Sequence, residues 1–436
     1  MGRNVFCQGM AVFVLTFILS VAIRVIIIRY TPEYNCSIDL EIYMGSGALV
    51  LAGADPYDVD DAPALREELR RAAKSPWLNE DQGRWNYYVT AFLPMVAVLM
   101  GLIGYIGRDA STYRVAFAVG DALACAMCCG LMWRVFEKKA RWTALAAVVA
   151  GCCVSPYFFW YGTVIPEPKG FQIFLMAATM AALASTSRFV VTAVLPCFLG
   201  LSISYYGLGI FFVPPAVVKV WRCSPDRVVD CSVFCAVLSV ATLPWLLPFC
   251  EGYVEMIRYR LMSSAGKGQP VHANIWRVVQ TVVPEHWRAI QAGTLVVWGL
   301  VLAGIGLRRL VCGAGVAAMC VFVFVIVFIA GAQGGSMDRP NVGVVMGLIG
   351  LTLMSVRAGL VLSVVYAACG AVSWIFGARV VEYLAGMYPR ADIDREFLDG
   401  MLVLLLTVVY FATSVAILLR RCGAGEKHEE KCANCG

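Results

Sequence analysis

The chain predicts an all-α fold, a polytopic bundle of transmembrane helices carrying juxtamembrane helices on its outer face. Three observations lead there. Of the 436 residues 60 % are hydrophobic and only 15 % charged, too apolar for a soluble domain of this length. The apolar residues gather into runs of about 18 to 22, the length that crosses a bilayer as a helix. No alternating barrel pattern competes with them, and backbone groups left unpaired in hydrocarbon would be too costly for any other structure. Basic residues, finally, collect in short segments between the runs, as they do at the cytoplasmic ends of spans.

The first run, Val5 to Ile28, follows Arg3 and lacks a small-residue cleavage site, so it reads as a retained anchor whose Arg24 snorkels to the outer surface. With the segments around Arg134 to Arg141, Arg188, Lys219 to Arg227, Arg308, Arg357 and Arg420 placed in the cytoplasm, the chain divides into twelve spans. They cover 5–28, 112–133, 143–160, 170–187, 189–205, 207–221, 229–249, 292–307, 311–331, 342–356, 358–376 and 400–419, with both termini inside. The run Tyr87 to Ile106 does not fit this count. As a span it would put RVFEKKAR outside, so it is expected to be a juxtamembrane or re-entrant helix, a role that suits Pro94 and the broken GLIGYIG end.

The chain thus divides into a module at 1–249 with a long outer loop at 29–111, a module at 250–419 with an outer loop at 250–291, and a cytoplasmic tail at 420–436. Further outer segments are Trp160 to Lys169, Gly331 to Asn341 and Phe376 to Asp399. The +6 formal charge implies no nucleic acid, since no basic cluster is interleaved with aromatics on a polar surface. Most of the 18 cysteines fall inside apolar runs and act as small hydrophobes. Cys36 and Cys250 lie near the outer side, where a bridge between them is one reading. The tail holds Cys422, His428, Cys432 and Cys435, which can ligate zinc but have no predicted fold around them.

The first loop opens with SIDLEIYMGSGALVLAGADPYDVDD. Helical spacing runs from Asp39 to Ala52, and Gly53 with Asp55-Pro56 ends it, so Asp39 stands at the helix N-terminus. There it is either an N-cap or an ionised, directional carboxylate.

The string Asp39, Tyr43, Gly53, Asp55, Pro56, Tyr57 resembles the first-loop signature of multi-pass GT-C glycosyltransferases, among them polyprenyl-phosphate-mannose-dependent mannosyltransferases and the GPI mannosyltransferases. In such enzymes a Tyr- and Pro-bearing juxtamembrane helix follows, similar to Tyr87, Tyr88 and Pro94. A second span then opens with a basic residue and carries an Asp, similar to Arg114 and Asp121. The likeness covers roughly the first 220 residues; it departs at the usual tyrosine-proline-proline motif, which is YYVTAFLP here.

The resemblance implies an inverting sugar transfer from a polyprenyl-phosphate donor to a lipid or glycan acceptor, with Asp39 as general base and with Tyr43, Asp55 and Tyr57 in the binding loop. Positive charge at the departing phosphate would help. Arg258, Arg260, Lys267 and His272 in the 250–291 loop, together with Arg339, are the candidates. An alternative reading makes Arg258 and Arg260 snorkelling residues, with Trp276 and Trp287 as belt anchors. HANIW is similar to strings in lipid-linked glucosyltransferases of the same superfamily and adds Asn274. Glu167, Lys169 and Gln172 are placed at the mouth of the fourth span, as sugar contacts or as a Pro-punctuated turn.

Asp121 inside a span needs a partner, either Arg114 two turns away or a group on another helix. The single-base scheme needs no metal or other cofactor beyond the lipid-phosphate sugar itself. The absence of a Gly-rich phosphate loop argues against a nucleotide-sugar enzyme. The expected partners are the bilayer, the lipid-linked sugar and its acceptor, in a bacterial plasma membrane, or in the endoplasmic reticulum for a eukaryotic chain. The rival reading is a transporter or flippase for a lipid-linked or small polar substrate, which would place ionisable residues near mid-span.

Overall fold

The computed structural model describes residues 3–32, 38–57, 93–136, 138–153, 170–183, 187–254 and 347–387, with isolated positions 155, 163 and 185 and parts of 283–297 and 398–417. Among these every regular element is helical. The helices are α1 (Arg3–Tyr30), α2 (Ile38–Leu51), α3 (Pro94–Ile106), α4 (Ala110–Val135) and α5 (Lys138–Val148), the last continued by a π-helical turn at Val149–Cys153. Then come α6 (Gly170–Leu183), α7 (Leu195–Tyr206, preceded by a π-helical turn at Val190–Val194), α8 (Val213–Cys223), α9 (Arg227–Leu246) and α10 (Val356–Met387).

Four helical stretches are long and apolar enough to cross a membrane: Cys7–Tyr30, Ala110–Val135, Arg227–Val254 and Val356–Met387. They fall on the expected spans 5–28, 112–133, 229–249 and 358–376. Large apolar side chains such as Leu15 (68 % exposed) and Val240 (73 % exposed) point away from the protein. Apolar surface of that extent on long helices belongs in lipid rather than water, so the chain is a membrane protein.

Contacts at the helix ends sort the elements onto two faces. Arg114, near the start of α4, donates from both terminal guanidinium nitrogens to Thr31, which follows α1: to its carbonyl oxygen at 2.9 Å and to its hydroxyl at 2.9 Å. At the other end Gly9 lies against Trp133, so α1 and α4 run antiparallel. The segment between them therefore leaves and returns on one side, here called the Thr31 face. α2 and α3 pack together on it, with Gly47 against the Met100 carbonyl, which also accepts from the Tyr113 hydroxyl at 3.0 Å.

At about 21 and 20 Å, these two helices are shorter than the roughly 30 Å hydrocarbon layer. The non-spanning placement expected for the run ending at Ile106 agrees with this; Tyr87 and Tyr88 lie outside the described residues. Pro94 stands at the first helical positions of α3, where its missing N–H costs nothing.

The end of α7 joins the same face. Gly207 lies beside Leu93, and Tyr205 is buried in one cluster with Leu40, Tyr43, Met100, Tyr113 and Phe117. α7 and α9 run parallel, tied at the far end by Arg188 to Asp230 (2.7 Å) and nearer the Thr31 face by the Ser204 hydroxyl donating to the Thr242 carbonyl at 3.3 Å. The chain from Leu208 to Cys223, a 3-10 turn at Leu208–Phe212 followed by α8, must then return across the protein between them. The far side, called here the Arg134 face, collects the ends of α4, α8 and the starts of α5, α7 and α9.

Several expectations change. Arg24 does not snorkel: it is fully buried, donating to the Ser20 hydroxyl and carbonyl and lying 3.7 Å from the Cys125 sulfur. The neighbouring helix α4 covers it before it could reach an interface. The expected span 170–187 is a 14-residue helix of about 21 Å, and the span 143–160 is helical from Lys138 to Cys153. The loop expected from Phe376 is instead helical through Met387, because nothing in VSWIFGARVVEYLAGM breaks a helix strongly. Cys125, Cys128, Cys129, Cys152 and Cys153 are buried as expected, whereas Cys250 is an exposed free thiol and Cys36 lies outside the described residues.

Candidate functional site on the Thr31 face

Asp39 lies in the first turn of α2; its side chain is outside the described set. The next residue, Leu40, is fully buried, and Tyr43, one turn on, is 1 % exposed. The Tyr43 ring meets Phe117 of α4 edge-on, with centroids 5.1 Å apart. Asp121 follows Phe117 by one turn of α4, so Asp39 and Asp121 each stand four residues, about 6 Å of helix rise, from this aromatic contact.

α2 stops where the turn chemistry directs. Gly53 takes φ of 74°, a left-handed conformation that costs a side-chain-bearing residue roughly 1 to 2 kcal/mol. Asp55 then accepts the Tyr57 backbone N–H at 2.8 Å, closing an Asx turn around Pro56. This turn docks on the helical continuation of α9, which runs to Val254. The Tyr57 ring packs edge-on against Tyr253 (5.4 Å) and Phe249 (6.4 Å), and a Cβ at Gly252 would fall 2.5 Å from an Asp55 carboxylate oxygen. Burial, with Tyr253 and Asp55 beside it, pushes the Tyr57 hydroxyl well above the usual tyrosine range, so it is a neutral donor at any physiological pH. Neither Phe249, Gly252 nor Tyr253 stood out in the sequence, where Phe249 read as the end of a span and the other two as the start of the outer loop 250–291.

A second polar locus lies deeper. Asp121 is 1 % exposed, and one carboxylate oxygen accepts the Gly170 N–H at the start of α6 at 2.8 Å. The first N–H groups of a helix lack internal partners, and Asp121 supplies one to α6 from across the interior. A Cβ at Gly170 would fall 2.9 Å from the Asp121 Cα, which explains glycine there. Arg114, the partner proposed on the same helix, is directed at Thr31 instead. Counting from that Thr31–Arg114 contact, Arg24 and Asp121 each lie seven residues inward, both about 10 Å beneath the face.

Gln172 is not at a mouth. It is fully buried on α6, with its amide nitrogen donating to the Ser202 hydroxyl of α7 at 3.1 Å and its carbonyl oxygen without a hydrogen-bond partner among the described residues. The Phe171–Tyr205 and Phe174–Phe198 ring pairs hold the same two helices together. Of the other candidates, Glu167, Lys169, Arg258, Arg260, Lys267, His272, Asn274 and Arg339 lie outside the described residues, as does the Cys/His tail. Among the described residues no group of three or more His, Cys, Asp or Glu side chains is arranged to hold a metal.

No protein-family model matches the chain, and a search of curated proteins finds no match either.

Proposed function

We propose that this chain is a multi-pass GT-C-type glycosyltransferase that moves a sugar, mannose in the first instance, from a polyprenyl-phosphate donor to a lipid or glycan acceptor. The Thr31 face is the extracytoplasmic one, because the basic segments end on the opposite side. Asp39 acts as general base on the acceptor hydroxyl, which attacks the anomeric carbon in line as the lipid phosphate leaves. One displacement inverts the anomeric centre, and no covalent sugar intermediate forms.

The observation that carries this reading is the docking of the Asp55-Pro56-Tyr57 turn on Tyr253 in the helical continuation of α9. It ties the loop segment that begins with Asp39 to the chain just before Arg258 and Arg260. In this reading the base and the cations for the departing lipid phosphate come from the stretches of chain on either side of that contact. Membranes containing the protein and labelled polyprenyl-phosphate-mannose test it. Asp39→Asn should lose transfer by a factor of 100 or more, the order general-base catalysis contributes, at unchanged protein level; transfer at the unaltered rate would remove Asp39 from the role.

A transporter or flippase is the second reading, favoured by Arg24 and Asp121 buried at one depth inside the helices, where ionisable groups are costly. Reconstituted vesicles distinguish the two. Movement of a lipid-linked sugar across the bilayer without bond cleavage would support the transporter.

A further inference from the structure

The Arg134 face carries a feature that sugar transfer on the opposite side does not use. At the junction of α4 and α5 the Arg141 guanidinium donates to the Phe136 carbonyl at 2.8 Å and lies 5.7 Å over the Trp133 ring. Trp133 meets Trp142 edge-on at 4.9 Å, and Trp142 is 66 % exposed. The side chains of Arg134 and Lys139 are exposed alongside. A second station repeats the arrangement at the junction of α8 and α9, where Arg227 lies 5.4 Å over Trp221, itself 50 % exposed.

The two stations share a face, since α4 ends and α9 begins there. Among the described side chains at these helix ends, six are basic (Arg134, Lys139, Arg141, Arg188, Lys219, Arg227) and two acidic (Asp226, Asp230), and Asp230 is already bound to Arg188. Tryptophan settles at headgroup depth, and a guanidinium pinned over its ring has lost rotamer freedom before any ligand arrives. A cation held in this way with further exposed ones near it in the chain suits a phosphodiester at the membrane surface.

We infer that the α4–α5 junction, through Arg141 over the Trp133 ring together with the exposed Lys139 and Arg134, binds the headgroup phosphate of an anionic phospholipid on the Arg134 face. The occupant is a lipid rather than a free anion, because the exposed Trp142 ring belongs at headgroup depth and supplies an apolar wall that a free anion would not use. The site stands apart from Asp39 and is independent of the glycosyltransferase reading.

The purified full-length protein in phosphatidylcholine nanodiscs, doped with increasing phosphatidylglycerol, tests this through the midpoint of thermal unfolding. The midpoint should rise with the anionic fraction. In Lys139→Gln the fraction needed for half the rise should increase about fivefold, the effect of one basic residue near a charged surface, and Lys139→Gln with Arg141→Gln should increase it further. Arg29→Gln, an exposed position on the Thr31 face, should leave it unchanged. The site is overturned if no rise occurs, if Lys139→Gln responds like the parent, if Arg29→Gln shifts the response as far as Lys139→Gln does, or if inorganic phosphate in undoped discs gives the same rise. Should the double variant fail to fold, Lys139→Gln alone decides the matter.

Discussion

Single carboxylates on this chain have assignable tasks. Asp121 serves the start of α6, and the geometry separates two substitutions. Asp121→Asn keeps an oxygen able to accept the Gly170 N–H and should unfold close to the parent temperature. Asp121→Leu leaves a buried donor unsatisfied and should cost about 1 to 3 kcal/mol, read as a lowered thermal midpoint in detergent. Equal midpoints for the two would show that the cap is not what holds Asp121.

Asp109 does the same work for α4 in the ordinary position, accepting the Thr112 N–H at 3.0 Å and the Thr112 hydroxyl at 2.5 Å. The Thr112 hydroxyl bond, with smaller help from backbone N–H groups, holds its carboxyl below the usual aspartate range. A folded-state value depressed in this way stabilises the fold above the unfolded value and is lost as pH falls through the folded one. Acid should therefore narrow the stability difference between the parent and Asp109→Ala, which at neutral pH should be about 0.5 to 2 kcal/mol. A difference that stays constant down to strongly acidic pH would count against the carboxylate as the capping group.

At the scale of elements, length and close approach decide the architecture. α2 and α3 are too short to cross, and they hold their place through glycine. Gly47→Ala would bring a Cβ to 2.5 Å from the Met100 carbonyl oxygen, so α2 and α3 must part. A loss of about 1 to 3 kcal/mol is expected from such overpacking, visible in the same melting experiment. Gly53→Ala meets open space instead, so its cost should be only the left-handed backbone penalty. The stop of α2 was legible because glycine, Asp-Pro and an Asx turn are local signals. The start of α6 was marked only by Pro168, and what satisfies its first N–H lies 49 residues away in sequence.

For the molecule as a whole, the helix ends sort onto two faces. α1 against α4, α7 beside α9 and α2 with α3 jointly place the Asp55-Pro56-Tyr57 turn opposite the basic ends of α4 and α8. The side each face occupies is open to direct measurement. A membrane-impermeant maleimide applied to intact cells should label Asp60→Cys above the background set by the native thiols, and should label Glu137→Cys only after the membrane is opened. The reverse pattern would invert the topology and remove the proposed active site from the extracytoplasmic side.

Membrane residence, the existence of α1, α4, α9 and α10, the boundaries of α2 and the short reach of α3 could all be read from the amino-acid order. Hydropathy, glycine and proline act within a few residues of where they stand, so each segment carries its own instruction. The burial of Arg24, the capping of α6 by Asp121, the turn of Arg114 toward Thr31 and the seat of Tyr57 on Tyr253 were decided only in the folded molecule. Each depends on how far a helix is rotated and how deep it sits against a neighbour distant in sequence, and packing between helices sets those two quantities.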